Sequence, residues 1–352
     1  MAGLRGQIIR AGLEGLYFSG AHLLARPLLG GVGAILMLHH VRPPRLDSFQ
    51  PNRLLEVTPA FLEDVIRYLR RARVDLVSLD EVHERMTSGD FRRRFACFTF
   101  DDGYRDNLDY AYPILRKHGV PFAIYVPTSF PDQIGDLWWL TLEAVIARQG
   151  RVGLVIDGKD THFLCTSPEE KHAVFAHLYW WLRGLDDEAE MRRLIRDLAR
   201  RYGVDADAFC KELCMTWSEL AEIAADPLAT IGGHTVDHIM LKKASEEVAR
   251  NEMQLGAAVI EAALGKRPRH FAYPVGDATS AGPRDFRIAA ELGFKTAVTT
   301  RPGILFRAHR DHLTALPRIS LNGEYQRLRY LKALLSGAPT TLWNGLRRLD
   351  VA

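Results

Sequence analysis

The chain has 352 residues, 47% of them hydrophobic and 25% charged, and 46 Lys+Arg against 43 Asp+Glu leave a net charge of +3. That composition excludes a disordered, collagen-like or coiled-coil chain, and a charge so nearly balanced gives no case for a nucleic-acid partner. A chain of this length buries a core without disulfides, and Cys97, Cys165, Cys210 and Cys214 show neither CxxC nor metal-knuckle spacing, so buried thiols are expected.

In residues 1–32, Arg5, Arg10, Arg26 and several glycines interrupt every apolar run, which does not fit a signal peptide. This helical segment is expected to cap the fold in a cytoplasmic protein, with peripheral contact to a membrane surface as the alternative. No stretch approaches the roughly 20 apolar residues of a membrane-spanning helix. Residues 33–136 carry strand signals at Ala34–Leu38, running into His39 and His40, at Val74–Val77, at Phe95–Phe100, delivering Asp101–Asp102–Gly103, and at Phe122–Val126. Residues 137–227 are expected to be a mostly helical insertion. Its helices are expected at Leu142–Arg148, Pro168–Leu185, Ala189–Tyr202 and Trp217–Ala225. A hairpin, Val152–Ile156 with His162–Cys165, turns at Asp157–Gly158. Residues 228–323 resume the strands: Leu228–Ile231 before Gly232–Gly233–His234, Phe271–Tyr273 before Pro274–Val275–Gly276, Thr296–Val298 and Leu316–Ser320. A crossover helix capped by Ser245 and stopped by Gly265 should bury Val248, Leu255, Val259 and Ala262. Residues 324–352 are expected to be a C-terminal helical tail. Roughly seven or eight short strands separated by helices point to an α/β fold with a parallel sheet or barrel and a site at the C-terminal strand ends.

The polar residues collect at those ends. Adjacent aspartates after an apolar strand point in different directions, so one can hold a metal while the other handles a proton. His234 and His238, four apart, share a face if the backbone is helical, a spacing that lets two imidazoles reach one cation. Two imidazoles and one carboxylate leave open positions for water, as in a catalytic zinc site.

Thr99–Phe100–Asp101–Asp102–Gly103 and His234–Thr235–Val236–Asp237–His238 resemble the first two signature motifs of the polysaccharide deacetylase family, carbohydrate esterase family 4. Phe271–Ala272–Tyr273–Pro274–Val275–Gly276 is similar to a common form of its third motif, and the likeness covers about residues 33–323. The resemblance implies a distorted (β/α)7-type barrel and metal-dependent removal of N-acetyl groups from N-acetylglucosamine-containing oligo- or polysaccharide. It implies Asp102, His234 and His238 as ligands of a divalent metal, Zn2+ with Co2+ or Ni2+ as alternatives. It also implies Asp101 as the base and the Val275 N–H as part of the oxyanion site. The family's arginine that orients the base is replaced by Ala272, and Arg318 is the substitute expected from another strand. The late Leu-x-His motif is missing at Leu316–Pro317–Arg318. The early Leu36–Met37–Leu38–His39 has that form, as in circularly permuted members, making His39 the general acid with His40 as alternative.

Chemically, an amide needs its carbonyl polarised, a base for the attacking water and an acid for the departing amine. Tyr104, Tyr273 and Trp138 are the expected sugar-contacting residues, Trp138 competing with a core role. The expected partner is an N-acetylated oligosaccharide or glycan precursor. The alternatives are a non-sugar amide substrate, or a glycan-binding pseudoenzyme.

Overall fold

The computed structural model describes residues 2–156 and 158–351. Met1, Ala352 and Asp157 of the expected Asp157–Gly158 turn lie outside the described residues. Seven parallel strands close a barrel: β1 (Gly33–Leu38), β2 (Phe95–Phe100), β3 (Phe122–Val126), β4 (Ala229–Gly233), β5 (His270–Ala272), β6 (Thr296–Pro302) and β7 (Leu316–Ser320). β1 pairs with β2 from Gly33↔Phe95 to Leu38↔Phe100, and with β7 through Leu36↔Ile319, which shuts the ring. The expected strand at Val74–Val77 shrinks to Asp75–Leu76, an extra rung beside the start of β2.

The ring is uneven in two places, and both serve the site. β4 and β5 share only the register pair Phe271↔Gly233, so the chain leaves β4 early and His234 stands just beyond it. β6 shifts register between Val298 and Pro302, a bulge that turns the Thr299 carbonyl out of the ladder.

Alternation divides each strand between two cores. Ile35, Cys97, Ala123, Tyr125, Ala272, Val298 and Leu316 fill the interior. Leu36, Leu38, Phe98, Phe100, Ile124 and Ile319 face the outer helices. The crossover helix runs Glu246–Leu264, its N-cap Ser245 accepting from the Val248 N–H and Gly265 ending it at φ 71°. Its buried face is Ala249, Met253, Gly256, Ala257 and Ile260, not the expected one: Val248 and Leu255 point to solvent. Small residues win because the helix lies against the barrel, where a Cβ on Gly256 would sit 2.9 Å from the Thr235 carbonyl oxygen.

The middle of the chain forms helices Trp138–Arg148, Pro168–Gly184, Glu188–Arg201 and Ala206–Leu213 and an antiparallel hairpin, Arg151–Ile156 with Lys159–Leu164. They share a separate core of Leu142, Ile146, Leu178, Ile195 and Cys210. The helix Trp217–Ala224 instead sends Leu220 and Ile223 into the barrel's outer core. Sequence periodicity gave no sign of Ala206–Leu213, a short helix capped by Asp205. All four cysteines are buried free thiols. The N-terminal helices Ala2–Phe18 and Ala21–Leu29 pack on the tail helices Leu328–Leu334 and Ala338–Trp343, with Glu14 accepting from Tyr330 Oη at 2.7 Å. No described helix is long and apolar enough to cross a membrane.

Candidate active site

Strand parity decides which polar side chains meet. Ile35 and Cys97 point inward, so His39 and Asp101, each four residues on, continue inward past the ends of β1 and β2. Leu316 points inward on β7, and so does Arg318. The result is a clamp: Arg318 Nη1 and Nη2 donate to the two Asp101 oxygens at 2.7 and 2.6 Å. Arg318 is itself held, its Nε donating to the Thr299 carbonyl at 2.8 Å and its Nη1 to Thr99 Oγ1 at 3.2 Å. The β6 bulge makes that carbonyl available. Burial opposes charge on Asp101, but the guanidinium outweighs it and holds the carboxyl below its usual range. Arg318 thus fixes the orientation of the Asp101 carboxylate.

Asp102 follows with φ 71°, a left-handed backbone that swings its carboxylate away from Asp101 and toward β4. His234 Nε2 lies 3.5 Å and His238 Nε2 3.3 Å from Asp102 Oδ1. The ligating atoms of the three residues all fall within 4.8 Å of one another. His234 Nδ1 is 2.7 Å from the Ala272 carbonyl, which can only accept, so the proton sits on Nδ1 and Nε2 presents a lone pair. Burial pushes the His238 imidazole down to about 3, and the Asp102 carboxyl is held below its usual range despite burial by its contacts with His238 and His234. A charged carboxylate and neutral imidazoles are the states a divalent cation requires. Asp102 Oδ1 is buried with no hydrogen-bond partner among the described residues. Such an orphaned acceptor is costly in a site made of protein alone and is satisfied by a shared cation. The donor set fits a metal.

The His234–His238 segment is not helical. It is an irregular loop that bends at Val236 and Asp237 and in which Thr235 and His238 take φ 66° and 53°. Glu252, on the crossover helix, accepts from the Val236 and Asp237 N–H groups at 2.9 and 3.1 Å. Arg192 donates to the Asp237 carbonyl at 2.7 Å. These outside bonds replace the helical ones and offset backbone strain on the order of 1 kcal/mol at each left-handed residue. Nothing in the local sequence marks Glu252 or Arg192, because they act from distant helices.

Val275, at φ 61°, makes no hydrogen bond through its N–H among the described residues, and its carbonyl accepts from Thr300 Oγ1 at 2.7 Å. His39 Nε2 is 3.8 Å from Asp101 Oδ2 and partly exposed. Burial lowers its pKa, against the pull of Asp101 and Asp102. His40 has the opposite parity: its Nδ1 bonds Asp106 at 2.6 Å and its ring stacks on Tyr104 at 3.5 Å.

The expected sugar-contacting residues are all withdrawn from solvent. Tyr104 and Tyr273 are each 0% exposed, the latter donating to the Thr314 carbonyl at 2.7 Å. Trp138 stacks on Tyr179 in the second core, so its core role prevails. Its neighbour Trp139 packs against His238 at 5.2 Å between ring centres, with Phe130 at 6.0 Å, so that two aromatic rings wall this imidazole.

The polysaccharide deacetylase family model matches residues 88–152 and 175–297, more than half of the chain. No curated protein sequence matches it. Among solved structures, the Streptococcus pyogenes deacetylase PplD in complex with acetate aligns with TM-score 0.58 at 19% identity over 86% of this chain and 97% of its own. IcaB from Ammonifex degensii aligns with TM-score 0.53 at 18% identity over the same shares, 86% and 97%. BC0361, a polysaccharide deacetylase from Bacillus cereus, aligns with TM-score 0.53 at 15% identity over 86% of this chain and 68% of its own. At these identities the likeness is one of fold. Family model, barrel and site together make the chain a member of the polysaccharide deacetylase family, a sugar deacetylase hydrolysing carbon–nitrogen bonds other than peptide bonds.

Proposed function

We propose that this protein removes N-acetyl groups from N-acetylglucosamine-containing oligo- or polysaccharide of the chitooligosaccharide type, using a divalent cation held by Asp102, His234 and His238. Two imidazoles and a carboxylate with open positions favour Zn2+, with Co2+ and Ni2+ as alternatives. One observation carries the reading: a three-residue ligand set beside a second carboxylate, Asp101, fixed in place by a buried arginine.

When bound, the cation supplies Lewis acidity to the amide carbonyl and the attacking water. The chain's own residues handle the protons. A carboxylate has about four lone-pair sites and Arg318 uses two, so Asp101 retains capacity to take the water's proton. The unpartnered Val275 N–H is available to donate to the oxyanion as the carbonyl carbon becomes tetrahedral. His39, beside Asp101 and partly open to solvent, gives a proton to the departing sugar nitrogen as the C–N bond breaks. His40 is engaged with Asp106 and is not assigned this role. Water and acetamide become acetate and a free amine. Tyr104, Tyr273 and Trp138, buried as they are, are not carried forward as substrate contacts.

Acetate release from chitooligosaccharides tests the proposal. The expected result is turnover that a chelator abolishes and Zn2+ restores, with Asp101→Asn at least ~100-fold slower. Unchanged turnover in an Asp101→Asn protein that still binds metal and glycan would overturn it.

A further inference from the structure

At the opposite end of the barrel from Asp101, the starts of β1 and β2 open into a cavity of about 490 Å³. Its walls are apolar and aromatic, with Tyr17, Tyr68, Leu69 and Phe95 among them, and no Asp or Glu lines it. Three cations do: Arg26, Arg94 and Lys332. Arg94 Nη2 donates to the Arg26 carbonyl at 2.7 Å, and burial, with repulsion from the Arg26 guanidinium, depresses the Arg94 pKa. Lys332 Nζ lies over the Tyr68 ring at 5.2 Å. Like charges gathered in an apolar recess with no counter-charge among the described residues mark a place for an anion attached to something greasy.

The rim has the same character. Along the helix Ala21–Leu29, Leu23, Leu24 and Leu28 are 61%, 80% and 72% exposed, and Phe18 just before it is 72% exposed. The helix Ala338–Trp343 packs beside it and presents Leu342 and Trp343, followed by Leu346 and the exposed Arg347 and Arg348. Large side chains exposed together on two touching helices differ from the scattered apolar residues of an ordinary surface. Apolar residues beside arginines, with a tryptophan at the edge, suit the boundary between headgroups and acyl chains.

We propose that this face docks on an anionic phospholipid bilayer, with a headgroup phosphate held by Arg26, Arg94 and Lys332 and an acyl chain entering the cavity. The lipid is chosen over a soluble partner by charge complementarity inside an apolar recess. The cavity volume lies in the range of small-molecule sites. The arrangement turns the C-terminal strand ends, and with them the catalytic side chains, away from the membrane plane.

Vesicle co-sedimentation tests it on the full chain, using phosphatidylcholine vesicles with and without phosphatidylglycerol. The expected result is sedimentation at least ~10-fold stronger with the anionic vesicles, lost by a similar factor in Leu24→Asp/Leu28→Asp and in Arg26→Glu. Acetate release should not change, since none of these residues touches the catalytic side chains, and thermal unfolding should not fall, since the leucines are exposed and Arg26→Glu removes a repulsion with Arg94. Three outcomes would overturn the proposal: no vesicle binding by the wild type; binding indifferent to Leu24→Asp/Leu28→Asp and displaced by millimolar inorganic phosphate, meaning an anion site alone; or a wild-type dimer that those substitutions split without any vesicle binding, meaning a second copy covers the face.

Discussion

Replacing Arg318 by lysine keeps the positive charge and removes the fork. The guanidinium makes four hydrogen bonds, at 2.7 and 2.6 Å to Asp101, 2.8 Å to Thr299 and 3.2 Å to Thr99. A single ammonium nitrogen cannot span both carboxylate oxygens and still reach the Thr299 carbonyl. At least one charge-assisted bond is lost, worth about 1.5–3 kcal/mol, and the carboxylate gains freedom to turn from the water that we propose it deprotonates. At about 1.4 kcal/mol per decade, kcat should fall roughly 10- to 100-fold. KM should hardly move, because Arg318 is 1% exposed and acts through Asp101. Arg318→Met goes further: it strands a buried carboxylate, costing about 3–5 kcal/mol of stability along with nearly all activity. The assay is acetate release under saturating substrate, with thermal unfolding on the same samples. A folded Arg318→Lys protein within twofold of wild-type kcat, or one whose whole loss falls in KM, would refute the reasoning.

Glu252→Gln should weaken metal affinity by roughly 10-fold, measured by competitive chelation, because the loop carrying both histidines loses its charged acceptor. Alanine for a helix-interior glycine normally stabilises by about 0.5–1 kcal/mol, yet Gly256→Ala should lower Tm, since its Cβ would meet the Thr235 backbone at 2.9 Å. Burial pushes His270 down to about 4, so between pH 6.5 and 4 the unfolded chain binds the proton that the folded chain refuses. Stability should therefore decline as pH falls through that window, by at most about 3 kcal/mol from this residue. His270→Gln should flatten the decline in denaturant titrations; an unchanged slope would dismiss His270 as its source.

The barrel was legible because short apolar runs ended in reactive side chains, and β3 at Phe122–Val126 has the bounds its pattern suggested. Asp101, Asp102, His234 and His238 stood out for related reasons: the two aspartates end an apolar run, His234 follows two glycines, and His238 stands four residues further on. What the sequence hid was set by contacts between distant segments. The crossover helix buries Gly256 and Ala257 rather than Val248 and Leu255, because proximity to the Thr235 loop outweighs hydrophobicity. The histidine loop is irregular rather than helical because Glu252 and Arg192 supply its hydrogen bonds from outside. Tyr104, Tyr273 and Trp138 looked like sugar platforms from their place in the chain, but parity and the second core draw them inward. His39 and His40 could have been separated from sequence by counting alternation along β1, where Leu36 and Leu38 face the outer helices.

Metal content measured alongside turnover bears most directly on the convergence of Asp102, His234 and His238. Elemental analysis of the purified wild type, loaded with Zn2+ and dialysed, should return about one ion per chain. Asp102→Ala and His238→Ala should return far less and lose acetate release in parallel. Full metal occupancy in both variants, or undiminished acetate release from chelated wild type, would contradict the account.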